Sequence, residues 1–128
     1  MQIPNADRAV IHPRKLRGYL LSRSHQVGRF KAAFFLALGY SPGDWRRFEA
    51  DQRSQHLPKD ATAEERTSYG QKYAIRATLV GPSGDSADVL SVWFVRRGEE
   101  FPRFVTAYPE GADDVPDPGH YRARPRLA

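Results

Sequence analysis

The sequence predicts an α+β domain whose N-terminal helices pack on one face of a three- to four-stranded antiparallel meander sheet. Two observations lead to this class. Apolar residues recur at helical spacing through the first half of the chain, and from residue 69 they alternate with polar residues at the period of a strand. Two turn sequences, GPSGD at residues 81–85 and RRGEE at residues 96–100, separate the strand-like segments.

Three helices are predicted before the strands. The first begins near Pro13, which suits an opening helical turn, and ends at about Leu21. The second ends at Gly39, and the third opens with the capping sequence that starts at Ser41 and contains Trp45. The apolar stripe of the second helix is predicted to be Val27, Phe30, Ala33, Phe34, Ala37 and Leu38.

Three strands follow, at residues 69–80, 89–95 and 103–108. The middle run, VLSVWFV, is almost continuously apolar and therefore predicts a central strand. Residues 57–68 are interpreted as a polar connector with room for a helical turn at 63–66. A fourth strand, if present, is assigned to the short apolar piece at residues 9–11.

A chain of 128 residues fits one domain, predicted at residues 1–109, with a Pro- and Gly-rich tail at 110–128. No apolar run reaches the roughly 18 residues that span a bilayer, and no signal sequence is evident. The expected compartment is the cytoplasm, although a module of a longer exported chain would look the same. The chain has no cysteine, so disulfides and thiolate chemistry are excluded.

The basic residues are unevenly distributed. The net charge is +5, and residues 8–43 contain neither Asp nor Glu. Such a segment is typical of a phosphate-facing surface, although an ordinary solvated helical face explains it about equally well. The nucleic-acid-binding candidates are Arg14, Lys15, Arg17 and Arg29.

Five residue types match the needs of RNA cleavage without a metal, which requires a base, an acid and donors to the phosphate. His25 is a candidate base or acid. Lys31 and Arg76 are candidates for holding the phosphate, and Arg76 can do so in bidentate fashion. Thr106 could orient the phosphate, and Tyr108 could donate a proton or stack on a base.

Each of these residues also has an ordinary structural interpretation. A surface position at a helix N-terminus explains His25 at least as well as catalysis does, and threonines and tyrosines are common in strands. His25 and Lys31 converge only if His25 precedes the regular helix, because six helical residues rotate by about 240°. No histidine shows metal-ligand spacing, and no phosphate loop or dinucleotide motif is present, so neither a metal nor a cofactor is expected.

Three blocks, HQVGRFKAAFFLALGY, YGQKYAIRATLVGPSGDSADVLSVW and PRFVTAYP, resemble an uncharacterised bacterial domain family found in small standalone proteins and at the C-termini of polymorphic toxins. The predicted layout is also similar to the barnase, EndoU, colicin and RelE group of ribonuclease toxins. That resemblance implies a metal-independent ribonuclease with His25, Lys31, Arg76, Thr106 and Tyr108 as its site. It also implies a cognate antitoxin or immunity protein as partner.

Two hypotheses therefore remain open. The first is an endoribonuclease toxin of a toxin-antitoxin or polymorphic toxin system that cleaves an RNA substrate through a 2′,3′-cyclic phosphate. The alternative is a non-catalytic module that binds nucleic acid or protein, such as an antitoxin or immunity component.

Overall fold

The computed structural model describes residues 1–22 and 28–110, with the side chains of residues 28–30 excepted. The candidate base His25 and the side chain of Arg29 lie outside the described residues, and so does the predicted tail at residues 110–128 apart from Glu110. The described part is an α+β fold in which helices precede a four-stranded antiparallel sheet. The predicted fold class is confirmed. No described helix is long and apolar enough to span a bilayer.

The helical part contains three helices, two of which change their winding along their length. Helix α1 (Pro13–Lys15) continues as a π-helical segment, Leu16–Leu20. Helix α2 spans Gly28–Ala37. Helix α3 (Trp45–Asp51) also continues as a π-helical segment, Gln52–His56, so the predicted helix positions are confirmed.

The stripe predicted for helix α2 is only partly right. Phe34 and Leu38 are buried as predicted, and Val27 and the side chain of Phe30 lie outside the described residues. Ala33 and Ala37, which were assigned to the apolar stripe, are exposed, whereas Lys31 and Phe35 are buried. Phe35 packs edge-to-face on Phe48 of α3 at a centroid distance of 5.1 Å. The rest of the prediction failed because this helix is apolar on nearly every side, and two exposed alanines cost little because each offers only one methyl group.

The sheet has the order β1-β2-β3-β4. The strands are β1 (Ala61–Thr67), β2 (Gly70–Val80), β3 (Ser86–Arg96) and β4 (Arg103–Pro109). Strand β1 corrects the prediction of a connector with a helical turn, and it supplies the fourth strand. The piece at residues 9–11 contributes only an isolated parallel bridge between Val10 and Arg103.

One face of the sheet forms the main core with the helices. Trp93 and Phe104 pack edge-to-face at 5.2 Å, and Phe48 of α3 contacts Phe104. We call the opposite surface the second face. It carries a smaller apolar cluster of Ala74, Leu90 and Val92, against which Val105 and Tyr108 pack.

Tight turns hold the layers in place. Gly39 ends α2 with φ of 101°, the left-handed conformation predicted for a glycine at a helix end. A side chain at this position would place its Cβ 2.5 Å from the backbone nitrogen of Ser83 in the turn between β2 and β3. Ser83 in turn donates from its backbone and its hydroxyl to the Leu38 carbonyl. The end of α2 is therefore fastened to one end of the sheet.

Candidate functional site

Lys31 lies at the centre of a polar and aromatic cluster beside β4. Its ammonium donates to the Tyr19 hydroxyl at 2.9 Å and to Thr106 Oγ1 at 3.1 Å. The same nitrogen lies 5.4 Å from the ring centre of Tyr19 and 5.3 Å from that of Tyr108, within the range of cation–π interactions. We call these four residues the Lys31 cluster.

Each member reaches the cluster from a different element. Tyr19 comes from the π-helical continuation of α1, and Lys31 comes from α2. Thr106 and Tyr108 lie two residues apart on β4, so both side chains emerge on the second face. The cluster therefore connects the helical layer to the sheet edge and joins positions 75 residues apart in the chain.

The ammonium of Lys31 is covered, because the residue is only 2% exposed. Thr106 is 5% exposed, whereas Tyr108 is half-buried and so contacts solvent. Burial of a cation without partners is costly, and the two hydroxyls and two rings offset that cost. Because Lys31 donates to the two hydroxyls, each can still donate its own hydrogen.

Arg76 lies on the second face, two strands from Tyr108. The strand register places Arg76, Leu90 and Tyr108 in one row across β2, β3 and β4. Adjacent strands are about 4.8 Å apart, so the Cα atoms of Arg76 and Tyr108 are separated by about 10 Å. Both side chains are long enough to contact one group placed above Leu90.

Two carboxylates flank Arg76. Its guanidinium lies 4.0 Å from Glu64 on β1 and 3.9 Å from Glu110 just after β4. Glu64 also approaches Lys72 at 3.8 Å. These contacts are long and partly exposed, so each is worth only a fraction of a kcal/mol and an anionic ligand can compete with it.

The structure thus brings together three of the five predicted residues, Lys31, Thr106 and Tyr108, and places Arg76 on the same face. Sequence reasoning did not include Tyr19 among the site residues. The signal available for Tyr19 was its phenol, a polar group that needs a partner when it is buried. Arg14, Lys15 and Arg17 are exposed, as an anion-binding surface requires.

A second polar cluster lies inside the main core. His56 Nδ1 is 2.9 Å from Ser91 Oγ, and the same oxygen accepts from Trp93 Nε1 at 2.9 Å. His56 and Gln52 are fully buried. Burial lowers the pKa of His56 to about 4, which keeps the ring neutral at pH 7. A fully buried ring of this kind has a structural role in the core.

The core also contains a buried acid. Tyr40 donates to Asp51 Oδ2 at 2.7 Å, and Arg47 pairs with the same oxygen at 3.1 Å. Burial and the Asp51 charge raise the pKa of Tyr40 well above its usual value. Among the described residues, no group of three His, Asp or Glu side chains is arranged to hold a metal ion.

The chain is similar in fold to a solved structure. It is one chain of a structure described as a contact-dependent growth inhibition toxin–immunity protein complex from Klebsiella pneumoniae 342. The match has a TM-score of 0.50 and 18% identity, and it covers 84% of this chain and 97% of the other. At this identity the likeness concerns the fold.

Comparison with curated proteins gave no match. A family model matches residues 2–111, which include every described element from α1 to β4. That family is described as a domain of unknown function, DUF6883. The chain belongs to the DUF6883 family.

Proposed function

We propose that the protein is the toxin of a toxin–immunity or toxin–antitoxin system and acts as a metal-independent endoribonuclease in the cytoplasm. The observation that carries this proposal is the Lys31 cluster, where a buried cation polarises the Thr106 and Tyr19 hydroxyls beside the exposed edge of Tyr108. The fold shared with a chain of a toxin–immunity complex adds support. The proposed partners are an RNA substrate and a cognate immunity protein or antitoxin.

The proposed reaction is a transesterification within the RNA. A base removes the proton of a 2′-hydroxyl, whose oxygen attacks the adjacent phosphorus. The bond from phosphorus to the 5′-oxygen breaks, and an acid protonates that leaving oxygen. The products are a 2′,3′-cyclic phosphate and a 5′-hydroxyl, and the charge that develops on the phosphate must be stabilised throughout.

We assign the roles by exposure: the more exposed side chains contact the phosphate, and the buried lysine acts through its charge. A phosphate above Leu90 would be contacted by Arg76 from one side and by Tyr108 from the other. Lys31 acts from its buried position beside β4, because its charge favours negative charge on the phosphate and strengthens the Thr106 hydroxyl as a donor. His25 remains the proposed base.

Growth and RNA cleavage test this proposal. Induced wild-type protein is expected to arrest bacterial growth, and purified protein is expected to cleave total RNA in excess EDTA. Lys31→Met keeps the length of the side chain but removes its charge, so the cleavage rate should fall by about 10²- to 10³-fold. Arg46→Gln is the matched control, because Arg46 is an exposed arginine stacked on Trp45 at 4.5 Å and lies outside the site.

A structural role for Lys31 would give a different result. In that case Lys31→Met would lose activity only in proportion to a lower melting temperature, and Tyr108→Phe would be fully active. If the wild type neither arrests growth nor cleaves RNA without metal, the ribonuclease proposal is wrong.

A non-catalytic binding module, such as an antitoxin or immunity component, is the second candidate. The ion pairs of Arg76 favour it, because a guanidinium already flanked by Glu64 and Glu110 is typical of a structural surface. This candidate predicts that Arg76→Gln leaves all activity unchanged. It also predicts that the wild type protects cells from a cognate toxin instead of arresting them.

A further inference from the structure

A groove runs between α1 and the β3–β4 edge of the second face. Its volume is about 570 Å³, within the range of small-ligand sites. The chain supplies it with cationic walls and an apolar floor. The described residues that line it are Val10, His12, Arg14, Lys15, Phe94, Arg96, Arg103, Phe104 and Val105.

The walls of the groove are basic. No Asp or Glu is among its described lining residues, and Arg14, Lys15 and Arg96 are all exposed. None of these three makes an ion pair within 4.0 Å with another described residue, although, after the hydrogen bond from Arg103, the charge of Arg96 also helps to lower the pKa of Glu99. Arg103 differs, because Glu99 holds its guanidinium through two contacts of 2.9 Å and neutralises it. Three cations therefore remain to attract phosphate groups.

The floor offers an aromatic surface. Phe94 is half-buried and stands on β3 between Lys72 and Arg103 in the same cross-strand row. Its ring lies against Gly70, where an added Cβ would come within 2.7 Å of Phe94 Cε2. Gly70 thus leaves space for the ring, and packing on one side holds it in place. A fixed aromatic ring beside cations is the arrangement on which unpaired bases stack.

His12 adds a directional donor. Its Nδ1 accepts a hydrogen bond from the Arg14 backbone at 3.2 Å, which places the proton of the neutral ring on Nε2. His12 therefore offers the groove an N–H donor. This matches a role in binding.

The groove is continuous with the Lys31 cluster. Lys15 lines the groove, and its Nζ lies 6.0 Å from the ring centre of Tyr19, a member of the cluster. Val105 also lines the groove and directly precedes Thr106. A strand of RNA leaving the phosphate above Leu90 can therefore follow the sheet into the groove.

We propose that this groove binds an unpaired nucleobase and the adjoining phosphates of single-stranded RNA, with the base stacked on Phe94 and the phosphates held by Arg14, Lys15 and Arg96. The proposal rests on the ribonuclease function and gives its substrate class as single-stranded RNA. A duplex is excluded because its bases are stacked on each other and present no open face to Phe94.

Binding should be measured separately from cleavage. The probe is a fluorescein-labelled single-stranded 2′-O-methyl RNA of about 12 nucleotides, which lacks the attacking hydroxyl, and the full-length protein is titrated by anisotropy over a range of salt concentrations. Phe94→Leu keeps apolar bulk, so affinity should fall roughly tenfold with an unchanged salt slope. For the association constant K, log K falls linearly with log salt. Lys15→Gln and Arg96→Gln should each make this negative slope shallower by about 0.7.

Two controls make the result decisive. Arg46→Gln removes an exposed cation away from the groove and should bind like the wild type. Circular dichroism verifies that every variant is folded. The inference is overturned if Phe94→Leu, Lys15→Gln and Arg96→Gln all bind the probe like the wild type. It is also overturned if a duplex of the same sequence competes equally well. The same holds if the groove variants weaken binding to a cognate immunity protein and leave binding to the probe unchanged.

The outcome also separates this inference from the ribonuclease proposal. Lys31→Met should lower cleavage of ordinary RNA far more than it lowers affinity for the 2′-O-methyl probe, whereas the groove variants should lower that affinity directly. Groove-dependent binding by a wild type that cleaves nothing would refute the nuclease and retain the groove. Cleavage that is insensitive to all three groove variants would retain the nuclease and refute the groove as its RNA-binding site.

Discussion

Lowering the pH should destabilise the fold through one buried histidine, His56. The ring is fully buried, and its pKa in the folded protein is about 4 against 6.5 for an exposed histidine. Between these values the unfolded chain binds a proton that the folded chain does not. Stability therefore falls as the pH drops through this window and is constant above about pH 6.5.

The size of the effect follows from the pKa difference. A difference of about 2.5 units at about 1.36 kcal/mol per unit is roughly 3 kcal/mol of unfolding free energy, lost between pH 6.5 and 4. That is a large share of the 5–15 kcal/mol typical of small domains. Carboxylates titrate mostly below this range, so the interval from pH 5 to 6.5 reports mainly on histidine.

Urea unfolding at half-unit pH steps measures this dependence. The wild type should lose about 1.4 kcal/mol per pH unit below pH 6.5. His56→Gln should flatten the curve in this interval, although its stability at pH 7 should also fall because the contact with Ser91 is changed. His12→Gln controls for the removal of a surface histidine. A wild-type curve that is level from pH 7 to 5, or one that His56→Gln leaves unchanged, would refute the reasoning.

Three further substitutions test the packing. Gly39→Ala should destabilise by more than 1 kcal/mol in urea unfolding, because it strains a φ of 101° and meets the Ser83 nitrogen; a neutral result would contradict the fastening of α2 to the sheet. Tyr40→Phe should cost about 1–3 kcal/mol, since Asp51 loses a donor, and Tyr40→Phe with Asp51→Asn should cost less than the sum of the two single changes. Trp93→Ala should cost about 3–5 kcal/mol by thermal or urea unfolding, and a smaller loss would mean that the core collapses around the cavity.

Local patterns in the sequence predicted most of the fold. The alternation from residue 69 and the apolar run VLSVWFV predicted β2 and β3, and the glycine at position 39 predicted the end of α2. Strand β1 was missed because five of its seven residues are polar or charged, and all but the first are exposed. An edge strand of this kind takes its hydrogen bonds from β2, so its own side chains carry no pattern of burial.

The buried face of α2 was hard to predict because the helix has too many apolar residues, whereas β1 has too few. Almost every residue of GRFKAAFFLA is apolar, so several rotations of the helix would bury a similar area. The choice among them depends on partners far along the chain, namely Phe48 for Phe35 and Thr106 for Lys31. Lys31 is therefore buried beside β4, a position that the composition of the helix alone does not indicate.

The same dependence on distant partners limits what the sequence reveals about the site. Lys31, Thr106 and Tyr108 were each selected for their residue type, but only the register of β4 beside α2 places them together. Tyr19 completes the cluster from the segment whose neighbours, His12 and Lys15, line the groove. The segment at residues 12–19 thus contributes side chains to both the Lys31 cluster and the groove. If RNA follows the groove toward the phosphate above Leu90, as we propose, the exposed cations of this segment attract it, and Lys15→Glu should lose both binding and cleavage.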